Sequence, residues 1–263
     1  MPRARPAAVS VRRGLPPSSK RSADQEEKDE PATKSQRTGA TSSSVAPEAV
    51  LVFAPGAGGS TAKAMRDLHE SELRERGIHV MRCDDELLAS GEARWVTKSA
   101  GADGNLAHVV AVATRAAAAH PGLPVFLCGA SFGCRVLAEV LRLRRDELPS
   151  SVRADALICC GYPLHKLKAP EGADPRRAEH LLRLPPTVST LFVQGEKDEF
   201  LGERGLTSLR ETMGQMGGEA VLTEVPGGGH TVPSATGLKQ RGTSQAEINV
   251  LVAEAIVAFT RVG

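Results

Sequence analysis

The sequence is short of aromatic side chains, with one Trp, one Tyr and six Phe in 263 residues. Its core must therefore be built from Val, Leu, Ile and Ala, and a hydrophobic content of 41% leaves enough of them for one α/β domain of ordinary size plus a tail. It has no excess of either charge. Lys and Arg number 33 against 31 Asp and Glu, a balance that argues against specific nucleic-acid binding. No apolar run approaches the ~20 residues that a membrane span needs, and nothing resembles the apolar core of a secretory signal. Cysteine is scarce and unpatterned. Cys83, Cys128, Cys134, Cys159 and Cys160 are odd in number, share no repeated spacing and form no CxxC pair, which argues against a disulfide framework and a zinc site. Three of them lie inside apolar runs, where a free Cys serves as a small core residue. This usage fits a reducing, intracellular compartment, cytoplasm or nucleus.

Residues 1–46 differ from the rest. They are rich in Pro, Ser, Ala, Arg and Lys and hold few large apolar residues, so they cannot bury enough surface to offset the entropy of ordering and are expected to be disordered. The first 23 contain six basic residues and no Asp or Glu, a pattern shared with organelle transit peptides. Lys20-Arg21 and the stretch from Lys34 to Arg37 fit instead a weak nuclear-import signal, and a solvated tail with no address is the alternative to both.

From Val50 onward, short continuous apolar runs alternate with helical patterns. The runs fall at 50–54, 78–82, 125–129, 156–160, 190–194 and 220–225, and the helical patterns at 61–76, 105–119, 133–146, 203–216 and 245–261. Continuous runs are what strands buried on both faces require. The alternation predicts an α/β domain over 47–263, with a mainly parallel sheet of about six strands and helices on both faces. Right-handed crossovers put every strand's C-terminal end on one edge, where ligands bind in open α/β sheets. The stretch 162–186 breaks the rhythm with five prolines and is expected to form a cap or loop over that edge.

The chemistry sits at that edge. Gly129-Ala130-Ser131-Phe132-Gly133 is a G-x-S-x-G sequence directly after a strand and before a helix. A serine at such a turn is held in a strained conformation that pushes its hydroxyl outward, and the flanking glycines are needed because strand and helix approach closely. A serine hydroxyl attacks only when a base takes its proton. Asp198, after the 190–194 strand, and His230, after Pro226 and three glycines, complete the order Ser…Asp…His. Asp198 would fix the imidazole's tautomer and His230 would be the base. An oxyanion hole needs two donors. The backbone N–H of Phe132 and that of Ala57, in the Pro55-Gly56-Ala57-Gly58-Gly59 loop, are the candidates. Gly56, Tyr162 and His165 are the expected substrate-pocket residues. His69, His79, His108, His120 and His180 have no such context.

At these residues the chain resembles the KANL3/Tex30-type α/β-hydrolase-like proteins, related to dienelactone hydrolases. The resemblance spans about residues 49–262 and is carried by VFAPGAG (52–58), GASFGCR (129–135), ICCGYPLH (158–165), LFVQGEKDEF (191–200) and PGGGH (226–230). It implies a minimal α/β-hydrolase fold that lacks the first two strands of larger relatives, with Ser131, Asp198 and His230 as the triad. Two positions depart from the family's usual pattern: Pro55 stands where a His is common in the first loop, and Phe132 where a Met is common after the nucleophile. Some relatives act in chromatin-associated complexes.

The resulting expectation is a serine hydrolase acting on a small ester, thioester or related acyl substrate, with no metal or cofactor. The alternative is a catalytically silent α/β-hydrolase-like scaffold that binds protein partners. A nucleotide-dependent oxidoreductase is a weaker third reading. Gly56-x-Gly58, Asp84-Asp85 and a Tyr162-x-x-x-Lys166 spacing fit it, but Thr61 replaces the fingerprint's third small residue and Pro163 interrupts the helix that Tyr162 and Lys166 would share. A P-loop is excluded, because Lys63 follows Ala62 rather than Gly.

Overall fold

In the computed structural model, residues 45–57, 70–84, 99–167, 175–230 and 242–262 are described. The basic tail, apart from 45 and 46, lies outside them, as do Gly58, Gly59, Thr61, Lys63, His69 and Asp85.

The six apolar runs all form strands: β1 (Ala49–Ala54), β2 (Ile78–Arg82), β3 (Val125–Ala130), β4 (Val152–Cys160), β5 (Ser189–Gly195) and β6 (Ala220–Val225). They pair in parallel throughout, in the order β2-β1-β3-β4-β5-β6. β2 and β3 flank β1 on opposite sides, so the winding reverses between β1 and β3. That reversal opens a crevice at the strands' C-terminal ends, and both the Pro55 loop and Ser131 lie there.

Both faces are covered, as continuous apolar strands demand. Successive side chains on a strand point to opposite faces. Val52, Leu127, Leu157 and Phe192 pack under α1 (Asp103–Ala119), α2 (Phe132–Leu143) and α4 (Leu206–Gln215). Leu51, Phe126, Ile158 and Leu191 pack under α5 (Gln245–Val262) and Leu73 of the helical segment 70–75. All five cysteines are free and buried. The Cys134 thiol donates to the Gly129 carbonyl at 3.1 Å, and burial pushes it well above its ordinary value.

Two features differ from the sequence expectation. β4 begins at Val152, which pairs with Val125, and so extends before its apolar run through half-exposed residues 153–155 that carry the Arg153–Asp155 ion pair at 3.0 Å. The proline-rich stretch contains α3 (Pro175–Leu182), which docks on α2 through polar contacts. His180 Nδ1 donates to Glu139 Oε1 at 2.6 Å, while its Nε2 lies 3.1 Å from Arg135 Nη2. Glu139 is itself buried and also binds Arg142 at 2.6 Å. Burial alone would raise the Glu139 carboxyl, but the hydrogen bonds and charges of His180 and Arg142 outweigh it and hold the group at about 2.

Candidate active site

β3 delivers Ser131 into the turn that starts α2. Its φ of 50° and ψ of −115° make it the non-glycine residue at positive φ among the described residues, a backbone strain of roughly 1–3 kcal/mol that persists only where neighbours enforce it. The neighbours are identifiable. A Cβ on Gly129 would lie 2.6 Å from the Cys134 nitrogen, and one on Gly133 would lie 2.1 Å from the Ala54 carbonyl oxygen. Strand, helix and the end of β1 therefore approach to distances only glycine allows. The Ser131 N–H is tied to the Cys160 carbonyl at 3.0 Å, fixing the turn to β4.

β5 and β6 supply the other two residues. The 228–230 backbone lies against two glycines. A Cβ on Gly195 would lie 2.2 Å from the Gly229 carbonyl oxygen, and one on Gly161 would lie 2.2 Å from that of His230. Lys197 N–H donates to the Gly228 carbonyl at 2.8 Å, joining the loops after β5 and β6. This brings His230 Nε2 to 2.7 Å from Ser131 Oγ, and His230 Nδ1 to 2.9 and 3.0 Å from the two Asp198 oxygens. Asp198 and His230 are buried, at 3% and 9% exposure, while Ser131 is half-buried. Because an ionised carboxylate only accepts, Nδ1 carries the proton, which leaves Nε2 free to accept from the serine hydroxyl.

Residues not singled out from the sequence hold this arrangement. Phe200 donates its N–H to Asp198 Oδ1 at 2.8 Å, and its ring lies over the His230 ring with centroids 4.1 Å apart. Gln194, fully buried on β5, donates to Asp198 Oδ2 through Nε2 and accepts the Tyr162 N–H at 2.7 Å. A signal for each was present: an amide at the end of a buried strand, and an aromatic two residues past the acid.

The remaining expected residues are placed as follows. Gly56 is buried and Ala57 exposed just after the end of β1, where the Ala54 and Pro55 carbonyls lie against Gly133 of the Ser131 turn. Phe132 begins α2, its ring buried under the Arg135 guanidinium at 5.6 Å. His165 is half-buried in the loop after β4, where its N–H donates to the Phe200 carbonyl at 2.8 Å. Tyr162 departs from expectation. Gly161, at φ 67°, turns the chain so that the Tyr162 ring enters the core against Phe192. Its hydroxyl donates to the Arg177 carbonyl at 2.6 Å, and burial pushes the phenol well above its ordinary value. What Tyr162 offers the site is its backbone N–H to Gln194. Tyr162 and Lys166 share no helix, and Asp84 is engaged by Arg82 at 2.6 Å, so the features favouring an oxidoreductase do not converge. Among the described residues no helix is long and apolar enough to cross a membrane.

The family described as "Alpha/beta hydrolase domain" matches residues 47–261. No curated protein matches the sequence significantly. Solved structures with the same fold include a dienelactone hydrolase from Anabaena variabilis, 17% identical over 82% of this chain and 86% of that one, with a TM-score of 0.50. A highly thermostable carboxyl esterase from Bacillus coagulans is 13% identical over 82% of this chain and 90% of its own, with a TM-score of 0.51.

Proposed function

Because the chain belongs to the α/β hydrolase domain family, we propose that it is a serine hydrolase cleaving an ester, thioester or related acyl bond. The observation that carries this reading is the unbroken hydrogen-bonded chain from Ser131 Oγ through both ring nitrogens of His230 to Asp198, headed by a serine on a strained turn.

In this reading Ser131 Oγ attacks the acyl carbonyl carbon while its proton passes to His230 Nε2. The carbonyl's electron pair moves onto its oxygen, which the N–H groups of Phe132 and Ala57 stabilise. Asp198, buried and already bonded to Nδ1, stabilises the imidazolium that forms and stays ionised. Collapse of the intermediate expels an alcohol or thiol that takes the proton from His230, leaving an acyl-serine. Water, deprotonated by His230, attacks that ester and releases a carboxylic acid and free Ser131. Every proton transfer uses these side chains and water, so the reaction as written calls for no metal or cofactor. Gly56 and His165 are assigned to the acyl pocket.

The test is fluorophosphonate labelling and turnover of a short-chain nitrophenyl ester by the full chain, beside Ser131→Ala. Labelling and turnover in the wild type, both lost in the variant, are expected. A folded wild type that neither labels nor turns over would overturn the reading and leave a partner-binding scaffold.

A further inference from the structure

A glutamine amide buried at the end of a sheet strand is costly unless both its donor and its acceptor are used. Gln194 is at 0% exposure on β5, four residues before Asp198. Its oxygen accepts the Tyr162 N–H and its nitrogen donates to Asp198 Oδ2. The effect on Asp198 follows from which oxygen each donor takes. Phe200 N–H holds Oδ1 and Gln194 Nε2 holds Oδ2, while His230 Nδ1 sits nearly equidistant from both, at 3.0 and 2.9 Å. A carboxylate pinned at both oxygens cannot rotate about its Cβ–Cγ bond, so its plane stays aimed at the imidazole. The other end of the amide fixes the loop after β4, whose Gly161 lies against the His230 backbone and whose His165 N–H reaches the Phe200 carbonyl.

We propose that Gln194 is a positioning residue for the Ser131–His230–Asp198 chain, orienting the Asp198 carboxylate through its Nε2 and tying the acid, the base and the loop after β4 into one unit. This rests on the hydrolase reading for its kinetic consequence but not for its structural one. The groups facing His230 are the Asp198 carboxylate at Nδ1, the Ser131 hydroxyl at Nε2 and the Phe200 ring over its face.

Two variants separate positioning from mere packing. Gln194→Glu keeps the size and the acceptor for Tyr162 N–H but replaces the donor to Asp198 with a second carboxylate. Gln194→Met keeps the length and removes both bonds. In Gln194→Glu the kcat for a nitrophenyl ester is expected to fall roughly ten- to hundred-fold with KM little changed, as for a misoriented catalytic group. The acid limb of its pH profile moves to higher pH, because added negative charge favours the imidazolium. Gln194→Met loses kcat comparably without that upward movement. The second readout needs no turnover: in histidine-labelled full-length protein, the Nδ1 proton resonance between His230 and Asp198 should shift or broaden in both variants. A resonance, kcat and acid limb unchanged in folded variants would overturn the proposal and leave Gln194 a packing residue. A wild type that shows the resonance but no hydrolysis would sink the hydrolase reading alone, and the variants' resonances would still decide the role of Gln194.

Discussion

Replacing Gly161 by Ala tests how tightly the site depends on backbone contact. A Cβ there would stand 2.2 Å from the His230 carbonyl oxygen, and real Cβ contacts essentially never fall below 3.0 Å. The gap to be opened is therefore at least about 0.8 Å, and the obstacle is main chain, which cannot rotate away as a side-chain tip would. Gly161 also sits at φ 67°, which costs an L-residue roughly 1–2 kcal/mol. A movement of that size taken up by the 228–230 loop would lengthen the 2.7 Å contact between His230 Nε2 and Ser131 Oγ to the limit of a hydrogen bond. Misplacement by about 1 Å lowers catalysis by about 100-fold, and backbone strain with displaced packing costs about 1–3 kcal/mol of stability. The assay is fluorophosphonate labelling rate and nitrophenyl ester turnover, with urea denaturation on the same samples. Gly104→Ala is the control. Nothing lies within 4 Å of its Cβ position on α1, so it should match or slightly exceed wild-type stability. Wild-type labelling by Gly161→Ala, at unchanged stability, would refute the argument that this contact sets the position of His230.

Other outcomes follow from single contacts. Tyr162→Phe removes the hydroxyl bond to the Arg177 carbonyl and should cost about 1 kcal/mol in denaturation while leaving kcat/KM within a few-fold; a large kinetic loss in a folded variant would mean the hydroxyl meets substrate. Glu139 contributes stability through a carboxyl held at about 2 against an ordinary 4.5. A carboxyl lowered by folding stabilises above its free value, and that contribution fades as pH falls from about 4.5 through 2. Glu139→Gln should therefore be less stable than wild type at pH 7, by about 1–2 kcal/mol once solvent screening of the partly exposed pair is allowed for, with the difference shrinking toward pH 2. A difference independent of pH in urea titrations would refute it.

The parts of the fold that rest on burial were legible in the sequence. The six strands are continuous apolar runs because both faces of a parallel sheet are covered, and G-x-S-x-G identified the turn because only glycine tolerates the approach of α2 to β1. What the sequence concealed depends on tertiary polar contacts. α3 has a short, charged sequence and is held through His180 between Glu139 and Arg135, partners about 40 residues away that no local pattern announces. The apolar run at 156–160 marks only the end of β4, because Arg153, Ala154 and Asp155 before it are half-exposed and two of them are charged. The direction of the Tyr162 ring was set by the φ of Gly161, which a sequence does not display. Chain order and position after strands singled out Ser131, Asp198 and His230, which the fold brings within hydrogen-bonding distance of one another, whereas Gln194 and Phe200, which bond to Asp198, read as ordinary members of an apolar run and a turn.

The buried cysteines bear on how chemical probing of this molecule is read. Cys128 and Cys134 bracket Ser131 within three residues on either side, yet neither thiol meets solvent and both are held well above the ordinary thiol range. The Cys134 thiol, at 0% exposure, is reached by an alkylating reagent only when the turn opens, so its rate counts opening events of the native protein. Loss of ester turnover under such a reagent would then report the breathing of the Ser131 turn, and would not identify a cysteine as the attacking group.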